Sequence, residues 1–211
     1  MILAMVTVMT MAPHDHGQGK HGNPDDLSSY LARMEDPARD EWQKPAEVIK
    51  ALELKSGQIV CEIGAGPGYF TKPLARAVGA DGNVLAVDVE PRILDALRER
   101  LKKAGIANVS PVLGQPDDPL IPRKSCDLIL IVDTYHHFPN GVAYLKRLSA
   151  SLKPGGRIVN IDFHKRELPV GPPPEHKIAR DEFVSQAKAA GLKIVSEQTF
   201  LPHQYFLVLA P

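Results

Sequence analysis

From residue 58 to the C-terminus, short apolar runs alternate with amphipathic ones. QIVCEI (58–63), NVLAVDV (83–89), NVSPVLG (108–114), CDLILIVD (126–133) and GRIVNIDF (156–163) have the length and composition of buried strands. CDLILIVD, with no polar residue between Leu128 and Val132, suits the middle of a parallel sheet. Between the runs, YFTKPLARAVG (69–79), PRILDALRERLKKAG (91–105), GVAYLKRLSASLKPGG (141–156) and RDEFVSQAKAAGL (180–192) read as helices. The second is the clearest. Pro91 opens it, Ile93, Leu94, Leu97 and Leu101 share one face, and Gly105 ends it. KIVSEQTFL and QYFLVLA close the chain as two strands with only Pro202 and His203 between them. That link has no room for a crossover helix, so the pair is expected to run antiparallel. Upstream, helical periodicity falls in two pieces: around LSSYLARM, and over PAEVIKALEL, where Pro45 suits a first turn and Val48, Ile49 and Leu52 share a face.

Strand and helix repeated in this order predict an α/β fold, a doubly wound and mostly parallel sheet with helices on both faces and an antiparallel C-terminal strand. A single domain is expected over 27–211, preceded by a loosely attached extension, 1–26. Within that extension MILAMVTVMTMA is too short to span a bilayer and lacks the basic start and small-residue cleavage site of a secretory signal, so no membrane span is expected. A truncated signal or anchor is the alternative reading. PHDHGQGKHGNPDD has a disordered composition, and His14, His16 and His21 have no packed surroundings to hold them as metal ligands. No metal is expected.

Composition narrows the function classes. The 211 residues are 44% hydrophobic, which suits a sizeable core. Twenty-five basic residues balance twenty-five acidic ones without a Lys/Arg cluster, so nothing electrostatic points to nucleic acid or an anionic membrane. Cys61 and Cys126 both lie in apolar runs and read as buried small hydrophobes, not a disulfide, which makes a reducing, cytoplasmic location the expectation.

The stretch VCEIGAGPGYF (60–70) carries the first chemistry. Its glycines leave a strand and enter a helix, where an open α/β sheet binds ligands. The dinucleotide fingerprint G-x-G-x-x-G fails in register, because Gly64, Gly66 and Gly68 alternate and Tyr69 stands where the third glycine would be. Asp88 ends the second strand twenty residues after Gly68, placed to accept hydrogen bonds from ribose hydroxyls, with Glu90 as the fallback and a helix cap as the plain alternative.

With these motifs in order, the chain resembles the class I S-adenosylmethionine (SAM)-dependent methyltransferases from about residue 45 to its end. E-x-G-x-G-x-G (Glu62 to Gly68), VDVEP (87–91), LGQPDDPLIPRKSCDLILIVDTYHHF (113–138) and LKPGGRIVNIDF (152–163) are similar to successive family motifs. The resemblance implies a Rossmann-like, seven-stranded sheet with a reversed last strand, and SAM as cofactor. It implies that Gly64, Gly66 and Gly68 line the cofactor, Glu62 orients the loop or the methionine amino group, and Asp88 holds the ribose. Gln115 stands where the family often has an acidic adenine contact; its amide oxygen can accept the same bond, with Asp117 as its rival.

Asp133, Thr134, Tyr135, His136 and His137 follow the fourth strand, beside the expected methyl position. Asp133 is a candidate for the cofactor's amino end or the acceptor, and His136 for a general base, since imidazole titrates near neutrality; structural or cofactor-side roles stand beside both. The Asx-Pro-Pro-aromatic pattern of adenine and amide-nitrogen methylases is missing here, which argues against nucleic acid as acceptor. The Pro-rich segment 164–178, carrying His164, Lys165, Arg166 and His176, and the segment 36–45, carrying Trp42, are the expected lid. His164 and His176 are candidate acceptor contacts beside a solvated reading, and Trp42 is expected to pack against the domain. The expected function is methyl transfer from SAM to a small-molecule acceptor. The alternatives are a non-catalytic SAM-binding protein and a nucleotide-dependent oxidoreductase.

Overall fold

In the computed structural model, which describes residues 26–211, seven strands form one sheet in the order β3-β2-β1-β4-β5-β7-β6. The strands are β1 Ile59–Ile63, β2 Asn83–Asp88, β3 Val109–Leu113, β4 Cys126–Val132, β5 Leu152–Phe163, β6 Lys193–Gln198 and β7 Gln204–Ala210. β1 lies between β2 and β4 and is parallel to both. The chain therefore winds outward in both directions from this pair, and the switch point lies above the ends of β1 and β4. β7 inserts between β5 and β6, antiparallel to each, as the two-residue spacing at Pro202-His203 required.

Seven helices cover the faces: α1 Leu27–Met34, α2 Arg39–Gln43, α3 Pro45–Ala51, α4 Thr71–Val78, α5 Pro91–Lys103, α6 Gly141–Ser151 and α7 Arg180–Ala189. On one face Val48 and Leu52 near α3 and Leu74, Ala75 and Val78 of α4 bury against Val60, Leu128, Leu130 and Val159, with Leu94, Leu97 and Leu101 of α5 alongside over Ala86. On the other, Tyr144, Leu145 and Leu148 of α6 and Phe183 and Ala187 of α7 cover Ile129, Ile131, Ile158 and Leu207. Alternate residues of each strand thus go to opposite cores, so a one-residue slip would exchange them.

Three features depart from the sequence pattern. The helix expected over 141–156 stops at Ser151, and β5 already begins at Leu152, which pairs with Cys126 before a register shift. The short helix α2 forms within the segment 36–45 expected as part of the lid, where no helix was expected, and Lys44, at φ +44°, turns the chain between α2 and α3. The third departure corrects the cysteine reading. Cys61 and Cys126, both fully buried with Cα atoms 5.9 Å apart, form a disulfide between β1 and β4. Two cysteines in separate apolar runs look alike in sequence whether or not their strands become neighbours. The bond also removes the ground on which a reducing compartment was expected. Among the described residues no helix is long and apolar enough to cross a membrane. The expectations placed on the extension up to residue 25, including His14, His16 and His21, lie outside the described residues.

Candidate active site

Register assembles the site. Ile63 at the end of β1 sits level with Ile131 on β4, so the turns after these strands are neighbours. Val132 pairs with Ile161, which sets Asp133 level with Asp162 on β5, and Asp162 and Phe163 in turn pair with Tyr205 and Gln204 on β7. Residues from four segments far apart in sequence therefore meet along one edge of the sheet.

The glycine turn forms one wall. Gly64, Gly66 and Gly68 have φ of +74°, +55° and +99°, values side chains rarely tolerate. A Cβ at Gly64 would overlap Thr134, and one at Gly68 would meet Leu97 Cδ1 at 2.5 Å, so these two glycines let strand, turn and helix close on each other. Gly66 differs: a Cβ there would meet only the Tyr30 hydroxyl of α1, at an ordinary contact distance of 3.9 Å, so its φ and not a close neighbour calls for glycine. The Gly66 amide donates to Asp88 Oδ2 at 2.8 Å and the Glu90 amide to Oδ1 at 3.1 Å. Asp88 thus braces the turn itself. Burial raises its pKa against the pull of the Glu90, Gly66 and Val89 amides. Two amides leave carboxylate lone pairs still able to accept hydroxyls. Glu62 lies beneath the turn and accepts from Thr71 Oγ1 at 2.5 Å. Burial pushes its carboxyl up to about 8, so it is largely protonated at neutral pH.

The second wall is acidic and basic together. Asp133, at φ +50°, accepts from Gln43 Nε2 at 2.8 Å and from Gln204 Nε2 at 2.5 Å. Burial first, and then the facing Asp162 charge, push its carboxyl up to about 7. His136 Nδ1 lies 3.1 Å from both carboxylate oxygens of Asp162, and both side chains are buried, at 5% and 0% exposure. Burial works against the imidazolium, but the Asp162 hydrogen bond and charge and the Asp133 charge outweigh it, so the His136 pKa is raised. Nδ1 is engaged, and Nε2 is the nitrogen left for chemistry.

α1 and α2 form the roof. The Arg39 guanidinium lies 4.2 Å from the Tyr69 ring centroid and donates to Gln43 Oε1, extending the chain of contacts to Asp133. Trp42 packs on Phe163, ring centroids 5.5 Å apart, as expected of a residue packing on the domain. Gly171 of the Pro-rich segment rests on the same phenylalanine, and the buried Lys177 donates to the Arg166 carbonyl at 2.8 Å, tying that segment down.

The structure therefore brings together Glu62, Gly64, Gly66, Gly68 and Asp88 in one cluster and Asp133 and His136 in an adjoining one. Gln115 and Asp117 sit exposed in the loop after β3, where Gln115 bridges only by backbone to Asp118. His176 is exposed, while His164 is partly buried beside a cavity. Tyr30, Arg39, Gln43, Asp162 and Gln204 were not singled out from sequence. Asp162 alone left a signal, as an acid inside an apolar strand.

Residues 60–156 match a family described as a methyltransferase domain. Over this stretch the chain is similar to the class I SAM-dependent methyltransferases. It is 35% identical over 128 residues to the demethylmenaquinone methyltransferase of Tropheryma whipplei, 60% of this chain and 50% of that protein. It is 33% identical over 114 residues to the protein-L-isoaspartate O-methyltransferase of Ignicoccus hospitalis, 54% and 51% of the two chains. The chain thus spans about half the length of the curated relatives it matches. A SAM-dependent methyltransferase from Aquifex aeolicus of solved structure superposes with a TM-score of 0.82 at 27% identity, covering 86% of this chain and 96% of that one. The cofactor these methyltransferases share fits the site: the positive-φ glycine turn lets backbone come close to a ligand, and the spare acceptor capacity of Asp88 suits ribose hydroxyls.

Proposed function

We propose that this methyltransferase transfers the methyl group of SAM to a small-molecule acceptor, with His136 receiving the acceptor's proton. SAM, when bound, supplies an electrophilic methyl on a neutral leaving group. Glu62, Gly64, Gly66, Gly68 and Asp88 would hold it, with Asp133 closing the end of that pocket. Gln115 and Asp117, from the loop after β3, are the adenine contacts. The observation that carries the reading is the buried His136–Asp162 pair on the strand ends next to the glycine turn. A hydroxyl or ammonium acceptor must lose a proton on methylation, and a raised imidazole pKa with Nε2 free suits a base working near neutrality. Asp162 does not meet the acceptor in this scheme. It fixes the tautomer by taking the Nδ1 proton in a hydrogen bond and steadies the imidazolium that forms. Arg39, Trp42 and Phe163 exclude water from the same space, which strengthens these contacts.

The test is a screen of small-molecule fractions with methyl-labelled SAM. Label appearing in a low-mass product, and reduced in His136→Gln, supports the reading. SAM bound tightly with no label transferred to any fraction would return the chain to a non-catalytic binding role.

A further inference from the structure

One cavity lies outside the cluster just described, on the same edge of the sheet. It has a volume of about 290 Å³ and is lined by His164, Lys165, Arg166, Ala179 and Arg180. His164 follows directly on the end of β5, two residues along from Asp162, and its ring stands 6.0 Å from that of Tyr205, the residue paired with Asp162. The cavity therefore lies just past the end of β5, the strand that carries Asp162, while the glycine turn follows β1, beyond β4 in the sheet order.

Its lining is basic. Arg180 is already committed, with Nε and a second guanidinium nitrogen donating to the Glu197 carboxylate at 2.9 and 2.5 Å and another to Asp181 at 2.7 Å. Lys165 and Arg166 are not: among the described residues no carboxylate pairs with either side chain. The Lys177 amine reaches the Arg166 carbonyl and so fixes the backbone that presents this guanidinium. Of the carboxylates nearby, Glu197 and Asp181 are held by Arg180, and Glu167 and Glu175 act on Lys177. The lining itself carries Lys165, Arg166 and Arg180 and no carboxylate. His164 registers it: burial lowers its pKa first and Arg166 second, with Arg180 and His203 adding to this against the opposing pull of Glu197. A cavity of this size, lined by two unpaired cations and a partly buried imidazole, suits a small anionic group.

We propose that this cavity binds a carboxylate or phosphate carried by the methyl acceptor, so that the acceptor is an anionic small molecule anchored by Lys165 and Arg166 while its nucleophilic atom reaches His136. The anion site stands on the cavity alone; its assignment to the acceptor rests on the methyl-transfer reading. Anchoring of this kind would place the acceptor from a group remote from the reacting atom, which raises the effective concentration of the nucleophile.

The experiment uses the full chain labelled with ¹⁵N at histidine and inorganic phosphate as probe, without SAM. The His164 signals, identified by their loss in His164→Gln, are expected to shift saturably, and their titration midpoint to move to higher pH as the anion offsets the surrounding cations. In a Lys165→Ala/Arg166→Ala variant, whose exposed side chains leave the fold intact, phosphate should bind at least about tenfold more weakly. No saturable shift, or the same affinity in the variant, overturns the site. Products of methyl labelling are then separated on an anion exchanger. Label in the retained fraction, with transfer inhibited by phosphate, supports acceptor anchoring. Label only in unretained products, or transfer indifferent to saturating phosphate, overturns it and leaves a site for a free anion. Absence of label from every fraction contradicts the methyl-transfer reading, while the phosphate titration still decides the cavity.

Discussion

Two alanine substitutions, two residues apart, should behave differently. Gly66→Ala places a methyl group at φ +55°, a left-handed conformation that costs a side-chain-bearing residue about 1–2 kcal/mol. Nothing stands in its way, since the nearest atom is the Tyr30 hydroxyl at 3.9 Å. Total destabilisation is therefore about 1–2 kcal/mol, a fall of a few degrees in Tm for a chain of this size. Gly64→Ala has the same kind of backbone penalty at φ +74°, and its Cβ overlaps Thr134 as well. Thr134 cannot simply swing aside, because its hydroxyl donates to the Val132 carbonyl at 2.8 Å and its backbone leads into the site. Overpacking adds about 1–3 kcal/mol, so this variant loses about 2–5 kcal/mol. Gly66→Ala should also cost affinity. Its methyl group would stand on the turn against which the cofactor is proposed to lie, and SAM should bind at least about tenfold more weakly, about 1.4 kcal/mol. Urea unfolding and calorimetric titration with SAM read the two effects separately. Wild-type SAM affinity in Gly66→Ala would refute the turn as the floor of the cofactor site. Equal stability of the two variants would refute the steric argument.

Three further outcomes follow from the same contacts. Asp88→Ala should weaken SAM binding by about 1–3 kcal/mol in calorimetry, and because it also strands the Gly66 and Glu90 amides it should lower stability by a similar amount; unchanged affinity would sink the ribose assignment. Cys61→Ala/Cys126→Ala frees a loop spanning a sequence separation of 65, and chain entropy puts the loss at about 4 kcal/mol, measurable by urea unfolding under oxidising conditions; a variant as stable as the wild type would show that the bond constrains nothing. Glu62, with a folded pKa of about 8 against 4.5 unfolded, binds its proton more tightly in the native state, so stability is greatest below pH 4.5 as far as this group is concerned and falls by up to about 4 kcal/mol as pH rises to 8. Glu62→Gln should flatten that slope and gain on the wild type at pH 8, and an unaltered slope would place the carboxyl in an ionised state throughout.

The parts of this structure that were legible in the sequence are those written in local pattern. Ile93, Leu94, Leu97 and Leu101 form one face wherever α5 packs, and alternating glycines between a strand and a helix make a turn whatever lies opposite. Contacts set by register across the sheet were not legible. Gln43, Asp133 and Gln204 meet because three segments end at one level, and nothing near any of them announces the other two. Asp162 pairs with His136 for the same reason, and Cys61 finds Cys126 only once β1 and β4 are neighbours. The boundary at Leu152 was missed because Pro-Gly-Gly ordinarily ends an element, whereas here the strand runs through it by pairing with Cys126. Tyr30 and Arg39 came from helices whose docking depends on the site they cover.

The central claim is that His136, held by Asp162, takes the proton during methyl transfer, and the pH dependence of single-turnover label transfer to the acceptor tests it most directly. The unprotonated imidazole is the active form, so the wild-type rate should rise with pH through a midpoint above 6.5, since Asp162 raises the His136 pKa. Asp162→Asn should move that midpoint down, Asp133→Asn should move it down by less, and His136→Gln should abolish it with most of the rate. A His136→Gln enzyme with the wild-type rate and the wild-type profile would contradict the account.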